Sequence, residues 1–301
     1  MADLLADDIT MDTVTLHVDD LTGMVAYYRD ALGLTVIDDA KGVVRLGRGT
    51  TPLVALQHTP GLPIPGRGQA GLFHTALLFP DDAGVASTLA SVATVAPDSF
   101  TGSADHMVSQ AFYFTDPEGN GIELYADRPR DQWRWQDGQV QMATLRLDPN
   151  DYLRRHLTET GPVIPGSADP AVVGHVHLQV GNTDDARAFY VDTLGFEATA
   201  QMPGALFVSV GGYHHHMAMN SWNSRGAGPR ASSLGLGEVS IVVPGPEDRA
   251  ALADRLRHHR IPAQDDGATL GFDDPWNNRI TVTEAAASEH PRPMAEASVA
   301  S

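Results

Sequence analysis

Thirteen histidines and no cysteine bound the chemistry open to this 301-residue chain. Thiolate metal sites, cysteine nucleophiles and disulfides are excluded, so any metal must be held by His, Asp or Glu. Histidines gather at His214-His215-His216 and recur as His175-x-His177, a spacing that puts both rings on one face of a strand. Read as part of a strand over His214 to Asn220, the run would send His214 and His216 to one face and His215 to the other. The three could not then share one metal. His106 and Tyr113 precede Glu123. A pocket imidazole that titrates near neutrality can shuttle a proton, and a Tyr hydroxyl can hydrogen-bond a substrate oxygen.

The elements that must position these groups repeat. TVTLHVDDLTGMVAYYRDALGLTVI from Thr13 and HVHLQVGNTDDARAFYVDTLGFEAT from His175 share one plan: an alternating strand, an acidic turn, an aromatic-bearing helix, then Leu-Gly and another strand. Asp20 in the first copy and Thr183 or Asp184 in the second are the expected helix N-caps. Further strands follow each copy, at Val43 to Leu46 and Leu53 to Gln57, then at Leu206 to Val210 and His214 to Asn220. A weaker related unit begins at Leu72 and again at Gly237, with Pro after a strand and acids at the helix entry. These units close alike, with FTDPEGNGIELY from Phe114 and FDDPWNNRITVT from Phe272, where Asp-Pro and a Gly/Asn pair mark a turn between strands. The pattern predicts an α+β fold of four βαβββ modules in two tandem domains. The domains are expected over 10–128 and 171–285, with a linker over 129–170 and a small-residue, polar tail over 286–301 that is expected to be disordered.

Composition removes whole classes of function. A hydrophobic content of 42% supports two buried cores, and a formal charge of −18 opposes binding to a phosphate backbone, so nucleic acid is not expected as a partner. No apolar run approaches the roughly 20 residues that span a bilayer. Met1-Ala2-Asp3 begins with acid where a secretion signal carries positive charge, so a cytoplasmic protein without a membrane partner is expected.

DPEGNGIELYADRPR at Asp116 to Arg130, GHVHLQV at Gly174 to Val180 and GGYHHHMAMNSW at Gly211 to Trp222 give the chain a family likeness. From about Met11 to Thr283 it resembles the vicinal-oxygen-chelate superfamily of glyoxalases, bleomycin-resistance proteins and extradiol dioxygenases. Within it, the resemblance is to the two-domain bacterial catechol 2,3-dioxygenases. That resemblance implies Fe(II) held by a His on the first strand of one module, a His on the first strand of its partner, and a Glu on the partner's last strand. The first-strand slot falls on Thr13, His74, His175 and Glu238, and the last-strand slot of the second and fourth modules on Glu123 and Thr281. Only the second and third modules complete the set, so His74, Glu123 and His175 are the expected ligands, meeting across the domain boundary.

The same resemblance gives catalytic parts to His106, Tyr113 and His216, with His216 a fourth ligand or an acid/base facing the metal. Substrate contacts fall to His177, His214 and Trp222, and apolar walls to Phe112, Phe207 and Trp222. His17, His58, His258 and His259 match no functional slot. The expected partners are a small aromatic diol and O2, the expected reaction is extradiol ring cleavage, and a homo-oligomer closing module pairs between subunits fits the same layout. Mn, Ni or Zn in place of iron would suit a glyoxalase-like isomerase or thiol transferase on this scaffold. A metal-free ligand-sequestering protein would have no use for the triad.

Overall fold

Each of the four repeats folds as a strand, a helix and three strands. The structure, a computed structural model, describes residues 4–158, 161–162 and 170–286. The tail expected to be disordered lies, from residue 287 onward, outside the described residues, as do parts of the expected linker. The first module runs β1 (Thr10–Val18), α1 (Leu21–Asp30), β2 (Thr35–Ala40), β3 (Val43–Arg48) and β4 (Thr51–His58). The second runs β5 (Gly71–Phe79), α2 (Asp82–Val95), β6 (Phe100–Asp105), β7 (Ser109–Thr115) and β8 (Gly121–Asp127). A small hairpin, β9 (Trp135–Gln136) with β10 (Gln139–Val140), and α3 (Pro149–His156) lead to the third module. That module is β11 (Val172–Gln179), α4 (Thr183–Arg187), β12 (Glu197–Met202), β13 (Ala205–Ser209) and β14 (Met217–Asn220). The fourth is β15 (Gly235–Val243), α5 (Pro246–His258), β16 (Ala263–Asp265), β17 (Thr269–Asp273) and β18 (Arg279–Glu284).

Local chemistry starts the helices where the sequence predicts, with one shift. The Asp20 carboxylate accepts from the Gly23 amide at 2.9 Å and caps α1. In the second copy Asn182, not Thr183 or Asp184, is the cap, accepting from the Asp185 amide at 2.7 Å. A carboxamide oxygen does this as well as a carboxylate.

The two modules within each half of the chain do not pair with each other. One eight-stranded sheet has the order β12-β13-β14-β11-β5-β8-β7-β6 and so joins modules two and three; the other, β16-β17-β18-β15-β1-β4-β3-β2, joins modules one and four. The seams are antiparallel, β5 with β11 and β1 with β15. Apolar side chains of both sheets, among them Leu16, Leu77, Val176 and Ile241, form one continuous core. The fold is therefore the expected α+β pair of glyoxalase-like units, with each half of the chain contributing to both sheets. No helix among the described residues is long and apolar enough to cross a membrane.

Two matching polar locks tie one sheet to the other. The Tyr28 hydroxyl donates to Asp116 at 3.0 Å, and Asp116 also accepts from the Glu118 amide, the Asn120 amide and the Asn120 carboxamide. Tyr190, Asp274, Trp276 and Asn278 repeat this pattern in the other half of the chain. Burial lifts both carboxyl groups above the ordinary range, against the pull of these donors. Asp116→Ala would strand several buried donors at a cost of about 1–3 kcal/mol each. We expect it to lower stability by about 3 kcal/mol. Tyr28→Phe, which removes one donor, should cost about half as much; urea unfolding of the two variants measures both.

Candidate metal centre

At the seam of the first sheet, register decides what meets. Ala76 of β5 stands opposite His175 of β11 on one side and beside Glu123 of β8 on the other. Its methyl group leaves the space above the sheet to those two side chains. His74 precedes Ala76 on the same face, opposite His177. The three groups predicted to come together do so: the ligand atoms of His74, Glu123 and His175 lie within 4.8 Å of one another, all three buried. His74 Nε2 is 2.9 Å and His175 Nε2 3.1 Å from the same oxygen, Glu123 Oε2.

This cluster has an electrostatic deficit. Burial disfavours the Glu123 carboxylate, but the imidazole of His175, with that of His74, outweighs it and holds the carboxyl well below its usual range. His175 in turn is pushed down to about 4, chiefly by burial and despite Glu123. The site therefore gathers a buried carboxylate between two imidazoles, one of which, His175, burial keeps neutral at pH 7. Although close to Glu123, His74 Nε2 has no well-aligned hydrogen-bond partner among the described residues, and neither has His175 Nδ1. A buried carboxylate is costly unless it is paired or bound to a metal. Two imidazoles and one carboxylate converging with an unpartnered nitrogen fit a divalent first-row metal such as Fe(II), Mn, Ni or Zn.

A cavity of about 480 Å³ opens over the three groups. Its lining includes His106, Tyr113, His177, Phe207 and Trp222, all named from the sequence. His106 Nδ1 lies 2.8 Å from the Ala143 carbonyl and Nε2 2.6 Å from the Tyr113 hydroxyl. A carbonyl only accepts, so the tautomer that satisfies both contacts carries its proton on Nδ1 and accepts from the Tyr113 hydroxyl at Nε2. The Asn220 carboxamide donates to His177 Nε2 at 3.0 Å and fixes that ring.

The histidine run departs from the strand reading. Gly211 and Gly212 both take left-handed conformations, with φ of +63° and +66°, and β14 begins only at Met217. His214 and His215 thus lie in the irregular segment after this turn, where alternation does not set their directions, and the His216 backbone already bonds to Val208 and Val176 on either side. The structure brings neither His216 nor His214 to the cavity. His216 Nδ1 is held by the Ser209 hydroxyl at 2.7 Å, its ring pushed down to about 3 by burial. His214 is wholly buried behind the site. His215 is the member that faces the cavity, its ring 4.1 Å from that of His175. Burial holds its pKa well below the ordinary value, so it is a neutral base. Phe112 is also absent from the lining; it packs at 4.7 Å against Tyr152 on the other side of its strand.

Behind His215 runs a hydrogen-bonded line. Asp127 Oδ1 lies 2.8 Å from His214 Nε2, and His214 Nδ1 lies 2.7 Å from His215 Nδ1. A carboxylate accepts, so in a neutral His214 the proton is on Nε2 and Nδ1 accepts in turn. His215 then carries its proton on Nδ1 and keeps a lone pair on Nε2.

The segment predicted as a plain linker supplies a wall. Met142, Ala143 and Thr144 line the cavity. Leu145 pairs with Asp105 through bonds of 2.9 and 3.0 Å, and Arg128 clamps that Asp105 at 2.7 and 2.6 Å. Val140 packs with Phe207 and Tyr213 of the third module. This strap therefore spans both modules of the cup. The matching face of the other sheet holds Thr13, Glu238, Ser240 and Thr281, where hydroxyls of Ser240 and Thr281 lie 3.3 and 3.0 Å from Glu238 Oε1. It carries no histidine pair in the ligand slots.

Residues 10–124 and 172–282 match the sequence pattern of the Glyoxalase/Bleomycin resistance protein/Dioxygenase superfamily. The chain is 34% identical over 258 residues to catechol-2,3-dioxygenase of Bacillus subtilis (strain 168), covering 84% of this chain and 89% of that one. Among solved structures it is similar to glyoxalase I from Zea mays, with a TM-score of 0.54 at 15% identity over 92% of each chain. It is similar also to the cppA protein of Streptococcus pneumoniae TIGR4, with a TM-score of 0.55 at 12% identity over 94% of this chain and 99% of that one. At such identities these two likenesses speak for the fold alone.

Proposed function

The chain belongs to the glyoxalase/bleomycin resistance protein/dioxygenase superfamily, and on that footing we propose that it is an extradiol dioxygenase that opens a catechol-type ring with O2. The observation that carries this reading is the convergence of His74, Glu123 and His175 on one side of a cavity, with an unpartnered Nε2 on His74. These three residues would hold Fe(II) with two neutral donors and one charged one. Iron held there would supply the Lewis-acid and O2 chemistry of ring cleavage and bring the two reactants together.

The remaining steps belong to the protein. His215 Nε2, unprotonated and facing the cavity, takes the proton of a substrate hydroxyl. Its Nδ1 proton, donated to His214 and backed by Asp127, keeps that nitrogen available. Tyr113, with its own proton committed to His106, offers lone pairs toward the bound diol. His177, held by Asn220, packs at 4.9 Å against both Phe73 and His74 and keeps the first ligand from turning. Phe207 and Trp222 flank the ring and exclude water.

The experiment is direct. Protein purified without air and loaded with Fe(II) is mixed with catechol and oxygenated buffer, and O2 uptake is followed together with the yellow ring-opened product. One O2 consumed per product formed is the expected result. Absence of uptake with iron, alongside isomerase or thiol-transfer turnover with nickel or zinc, would move the protein to the other chemistry of its superfamily.

A further inference from the structure

The cavity is larger than one diol ring needs: about 480 Å³ lies in the range that holds a drug-sized ligand. What surrounds the surplus space is mostly apolar. Phe73, Val108, Met142, Met202, Phe207 and Trp222 build much of the wall, and the polar groups beside them are imidazoles and hydroxyls such as His106, Tyr113 and Thr144. No Arg or Lys is among the lining residues, and the one carboxylate there, Glu123, belongs to the centre. The chain as a whole carries a formal charge of −18. A substituent bearing a carboxylate would lose its hydration in this space and meet no cation in return.

The apolar end has a specific construction. Met142 reaches the cavity from the strap, and the strap is anchored at Asp105 on the second module and packed by Val140 onto the third. Phe207 and Met202 enter from β13 and β12, and Trp222, half exposed, stands at the mouth. Resting on the reading of this site as a diol-binding one, we propose that its substrate is a catechol carrying an uncharged, apolar alkyl or aryl substituent. That substituent lies between the strap's Met142 and the rings of Phe207 and Trp222, which makes the strap the specificity-determining segment.

Binding separates this proposal from the one beneath it. Metal-loaded protein, kept free of oxygen so that no turnover occurs, is titrated with catechol, 4-butylcatechol, 3-phenylcatechol and 3,4-dihydroxybenzoate. At least one apolar derivative is expected to bind tenfold or more tightly than catechol, and 3,4-dihydroxybenzoate tenfold or more weakly. Met142→Lys, which sets a cation in the wall, should reverse the order of butylcatechol and dihydroxybenzoate, an inversion that a disturbed fold does not produce. If catechol binds but dihydroxybenzoate binds equally well in the unaltered protein, or the apolar derivatives gain nothing, the substrate class is wrong while the diol site stands. If none of the diols binds the metal-loaded protein, the diol site itself is wrong and the substrate class falls with it.

Discussion

Glu123→Ala is expected to abolish stoichiometric metal binding and all turnover while the protein remains folded. Glu123 is the only charged donor among the three groups at the seam, and both its partners are imidazoles. Removing it leaves two neutral ligands and nothing to compensate the charge of a divalent ion in a buried site. Metal affinity should fall by more than about 100-fold, since even outer partners of metal ligands cost up to that much. The fold should survive, because the lost carboxylate was itself opposed by burial and its strand is paired on both sides. Metal analysis of the dialysed variant, beside its circular dichroism, measures both expectations. An E123A protein with full iron and normal turnover would remove Glu123 from the site.

His215→Ala is expected to lower kcat by about 10²–10⁴, the range of a positioned acid or base, with metal content unchanged. His216→Ala should leave kcat within a small factor of the parent. The reason is placement: His215 faces the cavity against His175, whereas His216 is tied to Ser209 outside it. Turnover numbers per bound metal for the two variants decide the matter. The opposite ranking would return catalysis to His216 and restore the strand-like reading of the run.

That pair of residues also marks where the sequence stops being legible. The repeats, the Asp20 cap and the strand carrying His175 could be read because each depends on a local period or a single capping side chain. The cross-seam meeting of His74, Glu123 and His175 was accessible for a different reason: only two of four homologous modules carry donors in the required slots. The direction of His215 was not accessible. It depends on two successive left-handed glycines, Gly211 and Gly212, which end the strand pattern before the run is reached. Phe112 could have been excluded beforehand, since it neighbours Tyr113 on one strand and adjacent residues face opposite sides. The strap had no sequence signal at all. Met142 to Thr144 follow no period, and their place is set by backbone bonds from Asp105 and a carbonyl contact to His106. Those partners lie in another module, so no local pattern could announce them.

The exchange of modules between sheets has its sharpest consequence for the nascent chain. When β8 has left the ribosome, β1 has only β4 beside it and β5 only β8, because the other partners, β15 and β11, belong to the half not yet made. At translation rates of about 5–20 residues per second, the wait for β15 is on the order of ten seconds. β1 presents an unpaired edge for that interval and β5 for about half of it, until β11 is made, and such edges on partly made β-proteins recruit other chains. An N-terminal half that paired β1 with β5 in the meantime would have to undo that pairing before the seams with β11 and β15 could close, so such a temporary state would compete with completion of both sheets.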